Sequence, residues 1–317
     1  MTQAPAQGQD NKKRRPSRPH PKPGRPQQRH RIMIEIKDIS FRYPGTKHNI
    51  YSDFSLTLSE DRIYGVLGKN GTGKSTLLYL ISGLLRPDRG TILVDGMDTR
   101  KRYAEMLGEI FIVPEEFELP KTSLDDYVRL NRTFYPNFST EVLVRCLHDF
   151  ELPLTLRLDS LSMGQKKKVY MSFALASNTK FLLMDEPTNG LDIPSKSQFR
   201  KVIASNMTPD RTLIISTHQV HDVESLLDHI LIFNEGRVAL NASVADMCDR
   251  YTFETRRPGE DTSDVIYSEC SIQGNTVMAL RHDHEETPVN LELLFNAVVK
   301  GFVNDADGNT DNNDKQQ

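Results

Sequence analysis

The sequence of 317 residues has no tryptophan and only three cysteines, Cys146, Cys248 and Cys270, which lie far apart and lack metal-ligand spacing. Few, scattered and odd-numbered cysteines are typical of reduced thiols in a cytosol rather than of a disulfide framework. The sequence contains no apolar run near the ~20 residues that cross a bilayer, and its N-terminus lacks the apolar core of a signal peptide. We therefore expect a soluble, cytoplasmic protein with no transmembrane segment of its own.

Acidic and basic residues are unevenly distributed, although the formal net charge is only −3. Residues 1–32 hold nine Lys or Arg and one Asp, whereas the remainder holds 31 basic and 42 acidic residues. The same segment is rich in Pro and Gln and poor in apolar residues, which predicts a disordered basic tail. Three interpretations stay open: an arm that contacts anionic lipid or nucleic acid, a solvated extension, and an upstream start that is not used, since Met33 begins a predicted strand. The polar, acidic residues 303–317 predict a second disordered tail.

Residues 68–75, GKNGTGKS, have the spacing G-x-x-x-x-G-K-[ST] of a phosphate-binding loop. Glycine lets the backbone curl so that main-chain N–H groups converge on phosphate oxygens at the positive end of the following helix. The context supports the motif, because residues 62–67 are typical of a buried strand and residues 75–85 carry apolar residues at helical spacing. The nucleotide-binding residues predicted here are Gly68, Lys69, Asn70, Gly71, Thr72, Gly73, Lys74, Ser75 and Thr76.

Two further strand ends carry residues that suit phosphate chemistry. The apolar run Phe181–Met184 ends in Asp185 and Glu186. Beside a phosphate-binding loop, Asp185 and the Ser75 hydroxyl are expected to hold Mg²⁺, Lys74 to reach the β- and γ-phosphates, and Glu186 to polarise an attacking water. His218 follows a predicted strand at the carboxyl edge of the sheet, where ligands of open α/β folds bind. A lone histidine is more often structural, so its assignment depends on the other motifs.

The remaining pattern predicts an α/β chain with three additions. Alternating apolar residues at 33–40 and 50–59 predict two antiparallel strands before the phosphate-binding loop, and helical spacing predicts an insertion at about 116–160. Residues 251–302 predict a small C-terminal α/β appendage with two strands and a helix. Within it, residues 281–286 (RHDHEE) favour a solvated turn over a metal cluster.

Ser162 is a natural N-cap for a helix whose first turn contains Lys166, Lys167 and Lys168. Lysines at this end oppose the helix dipole unless an anion is near. The run is a weak hint of a second phosphate-facing surface, and the alternative is an ordinary solvated charged run.

Taken together, these motifs resemble the ATP-binding subunit, or nucleotide-binding domain, of an ABC (ATP-binding cassette) transporter over about residues 33–250. Residues 68–75 resemble its Walker A loop, 161–165 its signature, and 181–186 its Walker B strand with the catalytic glutamate. Residues 190–192 resemble the D-loop, His218 the switch histidine, and Tyr43 the aromatic that stacks on adenine. The resemblance implies a RecA-like P-loop NTPase core with an antiparallel β-subdomain and a helical subdomain. It also implies a Mg²⁺-dependent ATPase with Glu186, His218 and Lys74 as catalytic residues.

Two positions depart from the family pattern. Met163 replaces a glycine of the signature LSGGQ, but Ser162, Gly164 and Gln165 remain as the residues that the resemblance places on a partner's nucleotide. Glu115 stands where the family usually has glutamine, and its carboxylate keeps an acceptor for Mg²⁺ or water while adding a negative charge. A similar Pro-Glu pair and the run Thr188–Asp192 occur in type-2 ABC exporters, which favours export over import.

The resemblance further implies partners. Two copies, expected to form a homodimer, would close head to tail around two ATP molecules and drive a separate integral membrane permease from the cytoplasmic face of the membrane. No nucleic-acid partner is expected. The alternatives are a soluble ABC ATPase acting on a non-membrane partner, a nucleic-acid-associated ATPase suggested only by the basic tail, and a binding module that does not hydrolyse ATP. The last is disfavoured because Lys74, Ser75, Asp185, Glu186 and His218 are all present.

Overall fold

The structure is a computed structural model that describes residues 32–59, 61–272, 274–281 and 286–303. Most of the two predicted tails, and residues 282–285 of the predicted solvated turn, therefore lie outside the described residues. Val303, assigned above to the acidic tail, is buried, so the packed appendage extends at least to this residue. Within the described ranges, no helix is long and apolar enough to cross a membrane.

The first sheet is antiparallel and has four strands in the order β2-β1-β4-β5. Its strands are β1 (Ile32–Phe41), β2 (Tyr51–Ser59), β4 (Arg89–Val94) and β5 (Met97–Asp98). On β1, Ile34 and Ile36 are buried and lie opposite Leu58 and Leu56 of β2. This alternation of buried and exposed residues, visible in the sequence, places one face of the sheet on the core.

The second sheet forms the centre of the molecule, with the order β10-β9-β3-β8-β7-β6. Its strands are β3 (Ile63–Gly68), β6 (Ile110–Val113), β7 (Phe181–Asp185), β8 (Thr212–Thr217), β9 (His229–Asn234) and β10 (Arg237–Ser243). All neighbours are parallel except β9 and β10. Because both faces are covered, β3, β7 and β8 are buried along their whole length, which explains their continuous apolar sequences.

Two layers cover the central sheet. Helix α1 (Lys74–Ile81) packs against β7, β8 and β4, and it joins the first sheet to one face of the second in a single apolar cluster. The other face is covered by α5 (Met163–Ala176) and α6 (Ile193–Asn206). The short α2 (Ala104–Gly108), α3 (Leu124–Asn131) and α4 (Thr140–Asp149) complete the cassette, with α4 packed on α5. The carboxyl ends of β3, β8 and β7 thus lie side by side at one edge.

The C-terminal appendage comprises α7 (Val244–Arg250), β11 (Tyr251–Arg256), β12 (Val265–Ser271), β13 (Gly274–Leu280) and α8 (Leu291–Val299). Its strands form an antiparallel sheet in the order β11-β13-β12. Helix α8 packs against β12 and β13, and also against β9, β10 and the turn at Val220–Asp222. The appendage therefore shares an apolar core with the cassette.

Three strands, β5, β10 and β11, were not predicted, and one predicted helix starts too early. The sequence pattern places a helix from Ala242, but Ala242 and Ser243 end β10. The β9–β10 hairpin turns over Glu235 and Gly236, both with positive φ, which is the backbone of a two-residue type I′ turn. Glutamate is uncommon at the first of these positions, so the turn signal is weak. Strand β11 begins at Tyr251, directly after α7 ends at Arg250, and no glycine or proline marks this boundary in the sequence.

Arg211 forms hydrogen bonds with the last turns of α5 and α6 and with the loop that precedes β7. Its side chain is buried, and its guanidinium donates to the carbonyl oxygens of Leu175 (3.2 Å), Thr179 (3.2 Å) and Asn206 (3.0 Å), and to Oδ1 of Asn178 (3.0 Å). Leu175 and Asn206 lie in the last turns of α5 and α6, where the helix dipole favours a cation. Burial lowers the pKa of Arg211, since desolvation disfavours the charged form.

We expect Arg211→Met to lower the free energy of unfolding by about 3 kcal/mol, because buried carbonyl groups lose their hydrogen-bond donor. Equilibrium denaturation in urea measures the change. Arg129→Met is the matched control, since Arg129 is exposed and contacts only Asp126 on its own helix. Equal stability of the two variants would contradict the assignment.

Candidate functional site

The phosphate-binding loop joins β3 to α1. Gly71 and Gly73 have φ of 83° and 102°, a conformation that favours glycine. A Cβ on Gly73 would lie 2.8 Å from Oη of Tyr51, and this buried hydroxyl donates to the Gly73 carbonyl oxygen at 2.8 Å. No side chain caps α1 in the described structure, and its first turn contains no acidic residue, so its main-chain N–H groups suit an anion. Lys69, Asn70 and Gly71 are exposed at the rim.

Lys74 begins α1 and is buried. Its Nζ donates to the carbonyl oxygens of Gly68 (2.9 Å) and Lys69 (3.1 Å) and lies 3.8 Å from Oε1 of Glu186. Burial lowers the pKa of Lys74, while the carboxylates of Glu186, Asp185 and Glu115 act in the opposite direction. The loop thus holds a desolvated cation on its inner side, as phosphate binding requires.

Ser75 and Asp185 bring two oxygen donors together. The Ser75 hydroxyl donates to Oδ1 of Asp185 at 3.0 Å, and the Ser216 hydroxyl donates to the same oxygen. Burial raises the pKa of Asp185, an effect that the two hydroxyl groups partly offset and that Glu186 and Glu115 increase. Hydroxyl and carboxylate oxygens are the donors that Mg²⁺ takes, and a cation there would favour the ionised carboxylate, so these residues fit the metal.

Glu186 follows β7 with φ of 44° and a buried side chain. Its Oε1 accepts hydrogen bonds from the main-chain N–H (3.1 Å) and ring Nδ1 (2.8 Å) of His218, and its Oε2 accepts from Thr217 Oγ1 at 3.0 Å. An ionised carboxylate only accepts, so the proton of this pair lies on Nδ1 of the imidazole. The end of β8 therefore orients the carboxylate.

Glu115 lies nearby but does not contact the Ser75–Asp185 pair. It is exposed, and its Oε1 accepts from Nδ2 of Asn189 at 2.8 Å. Asn189 Oδ1 in turn accepts from Nε2 of Gln219 at 2.9 Å. The structure thus connects Glu115 through Asn189, the residue before the D-loop position, to Gln219, the residue after His218. The charge of Glu115 acts on Lys74 and Asp185 from a distance.

Tyr43 lies beside the start of α1. Its hydroxyl is 3.1 Å from Oγ1 of Thr76, and its half-buried ring packs edge-on against Phe41. The predicted aromatic and the predicted loop residue Thr76 are therefore neighbours. This placement is compatible with a base bound next to the phosphate-binding loop.

The signature residues begin α5. Ser162 caps the helix, since its hydroxyl accepts from the Gln165 N–H while Oε1 of Gln165 accepts from the Ser162 N–H. Both residues are exposed, as is Met163. A Cβ on Gly164 would lie 3.7 Å from the Gly190 carbonyl oxygen, so signature and D-loop are adjacent.

The lysine run after the signature is not a uniformly solvated face, since Lys166 and Lys168 are half-buried. Lys167 is buried, and its Nζ donates to the carbonyl oxygens of Glu186 (3.1 Å) and Asn189 (2.9 Å). Lys168 donates to Oε1 of Gln198 at 2.8 Å. The helix thus turns Lys167 towards main-chain carbonyls, and the second phosphate-facing surface stays a prediction.

Several site residues were missed in the sequence. Asn189, Ser216, Thr217 and Gln219 lie within three residues of predicted ones, so proximity to the strand ends of β7 and β8 was the available signal, whereas Tyr51 in β2 and Lys167 in α5 carried no such signal. The missed residues are Tyr51, Lys167, Asn189, Ser216, Thr217 and Gln219.

Comparison with known proteins agrees with the geometry. The family model "ABC transporter" matches residues 51–189. The ABC transporter ATP-binding protein YtrB of Bacillus subtilis is 26% identical over 298 residues, covering 85% of this chain and 99% of YtrB. NatA of the same organism, also named an ABC transporter ATP-binding protein, is 30% identical over 249 residues, covering 74% of this chain and 97% of NatA.

A third relative, the methionine import ATP-binding protein MetN of Carboxydothermus hydrogenoformans, is 32% identical over 232 residues, 68% of this chain and 67% of MetN. The solved structure of an ATP binding subunit of an ABC transporter superposes with a TM-score of 0.61 at 26% identity, covering 68% of this chain and 91% of that chain. The predicted P-loop NTPase fold is confirmed. With the phosphate-binding loop, the carboxylates of β7 and the histidine of β8 at one edge, this chain belongs to the ABC transporter family as an ATP-binding subunit.

Proposed function

We propose that this subunit hydrolyses ATP with Mg²⁺ at a site shared between two copies and thereby powers export through a separate membrane permease. The observation that carries the proposal is the buried Glu186 carboxylate, held by His218 and Thr217 and 3.8 Å from the Lys74 ammonium. A base, an orienting group and a phosphate-binding cation are thus close together at the end of the sheet.

In this proposal, each group has one role. The loop N–H groups and Lys74 bind the β- and γ-phosphates, and Tyr43 supports the base. Ser75 and Asp185 would hold Mg²⁺, which supplies charge neutralisation of the phosphate oxygens when bound. Glu115 contributes a negative charge beside this pair and an acceptor that Asn189 orients.

Glu186 is proposed to accept a proton from the attacking water. His218 holds its own proton at Nδ1 towards Oε1 of Glu186, which leaves Nε2 free to accept or donate on the other side of the ring. Thr217 fixes Oε2, so the carboxylate cannot rotate freely. Orientation of the base before the substrate arrives is the contribution of this chain to catalysis.

Glu186→Gln should lower ATP turnover about 100-fold or more, because an amide cannot accept the proton. ATP binding should persist, since the loop and the Ser75–Asp185 pair are unchanged. Phosphate release and retained nucleotide are measured on the same sample, with Glu118→Gln as an exposed carboxylate control. Near-normal hydrolysis by Glu186→Gln would refute its role.

Lys167 is proposed to position Glu186 through its hydrogen bonds to the carbonyl oxygens of Glu186 and Asn189. Methionine has similar length but no donor, so Lys167→Met should release the turn between Glu186 and Asn189 and lower kcat about tenfold, with KM for ATP nearly unchanged. Lys166→Met, one residue earlier and half-buried, is the control. Steady-state kinetics would contradict this role if both variants retained the wild-type kcat.

The proposed homodimer places Ser162, Gly164 and Gln165 on the nucleotide of the other copy. Support comes from the resemblance to the family and from the exposed position of Ser162 and Gln165 at the start of a 14-residue helix. One chain carries both halves of such a site, so no second gene product is needed.

Mixing two inactive variants tests the shared site. Lys74→Ala loses the phosphate-binding cation, and Ser162→Arg places a bulky cation at the signature. Each alone should be inactive, whereas an equal mixture should recover activity, because each heterodimer keeps one intact site. No recovery on mixing, or full activity of either variant alone, would exclude a shared site.

Export and a location on the cytoplasmic face of the membrane complete the proposal. Support for export comes from Pro114, Glu115 and the Thr188–Asp192 run, which are similar to type-2 exporters. MetN is named for import, so the direction is a proposal from these residues alone.

A further inference from the structure

Helix α8 of the C-terminal appendage contacts the chain segment that begins at His218. This segment, residues 218–226, is called the switch segment below. It contains two short 3₁₀ turns, Val220–Asp222 and Glu224–Leu226, and the first of them packs against α8. The proposed catalytic edge and the appendage thus meet at one stretch of chain.

Two carboxylates join α8 to the switch segment in opposite directions. Oε1 of Glu224 accepts from the N–H of Leu291 at 2.7 Å, which places a negative charge at the positive end of α8. Oε2 of Glu292, in the first turn of α8, lies 2.6 Å from Nε2 of His221. Each partner therefore supplies one carboxylate to the other.

Apolar side chains lie beneath these polar contacts. On the switch segment Val220, Val223 and Leu226 are buried, and on α8 Leu291 and Leu294 are buried in the same apolar cluster. Exposed ion pairs contribute little by themselves, so this apolar contact holds the two elements together, while the carboxylates set their register.

The switch segment also contacts the catalytic edge. Gln219 donates to Asn189, and Lys196 donates to Oε1 of Gln219 at 2.9 Å. Lys196 also forms an ion pair with Asp222 at 2.7 Å. A movement of α8 would therefore reach the Asn189 side chain and the neighbouring His218 through a few direct contacts.

A cavity of about 410 Å³ lies between the two elements. His218, Gln219 and His221 line it from the switch segment, Phe295 and Asn296 line it from α8, and Gly68 of the phosphate-binding loop also borders it. Close packing resists displacement, whereas open space beside a turn permits it. The switch segment thus borders open space on the side that faces α8.

We propose that α8 is a positioning element for His218: through Glu224 and Glu292 it sets the position of the switch segment, and through it the hydrogen bond between His218 and Glu186. The C-terminal appendage then tunes the rate of ATP turnover without contacting nucleotide. This inference rests on the proposed roles of Glu186 and His218.

The test compares three full-length proteins. Glu224→Ala/Glu292→Ala removes both carboxylates, Glu224→Gln/Glu292→Gln retains acceptors, and Glu254→Ala removes a carboxylate of the same appendage that contacts Arg256 instead. Amide hydrogen exchange is measured over residues 218–223, where the N–H groups of His218, Asp222 and Val223 are hydrogen bonded. Steady-state ATP hydrolysis is measured on the same samples.

The double alanine variant should show about fivefold faster exchange in the switch segment, with strand β3 unchanged. Its kcat should fall about fivefold, with KM for ATP within about twofold, because positioning of the base is lost and nucleotide binding is not. The glutamine variant should recover part of both effects, and Glu254→Ala should match wild type.

Wild-type exchange in the switch segment of the double alanine variant would overturn the inference whatever the ATPase result, as would faster exchange with unchanged kcat. A wild-type protein without ATPase activity would count against the proposed function instead. The exchange data would still show whether α8 holds the switch segment in place. If the double variant does not fold, the exposed His221 replaces it: His221→Ala should reproduce the faster exchange and His221→Gln, which can donate to Glu292, should restore it, and identical exchange of the two would overturn the inference.

Discussion

The buried carboxylate of Glu186 is the constraint on which the arrangement of the site depends. An ionised carboxylate away from water costs several kcal/mol unless hydrogen bonds and opposite charge compensate for the lost hydration. Here Thr217 at the end of β8 and His218 directly after it supply the hydrogen bonds, and the phosphate-binding loop supplies Lys74. Because β8 lies between β3 and β7, the site exists only when the parallel order of these three strands has formed.

Much of this edge could be predicted, because the end of a buried parallel strand is visible in a sequence. Apolar runs stop at Asp185 and near His218, and a glycine-rich loop follows the run at 63–67. Parallel strands bring such ends together, so the meeting of Ser75, Asp185 and Glu186 follows from the fold class. The first two strands, β1 and β2, could be predicted as well, because buried and exposed residues alternate along them.

Other features depend on tertiary packing and leave no local signal. Three consecutive lysines look alike in sequence, yet successive residues of a helix point about 100° apart, and it is Lys167 that faces the carbonyls of Glu186 and Asn189 after β7. Strand β10 depends on a type I′ turn with an unusual glutamate at its first position. The contact of α8 with the switch segment joins residues about 70 positions apart, and no periodicity records it.

The central claim is that this subunit powers a membrane permease. Identifying the protein with which it forms a stable complex tests this claim most directly. The full-length chain is tagged at its C-terminus in the organism that encodes it, the membranes are solubilised gently, and the co-purifying proteins are identified and quantified. The account predicts a polytopic membrane protein in near-stoichiometric amount. A chain that remains in the soluble fraction with a soluble partner would contradict the transport function and leave only the ATPase.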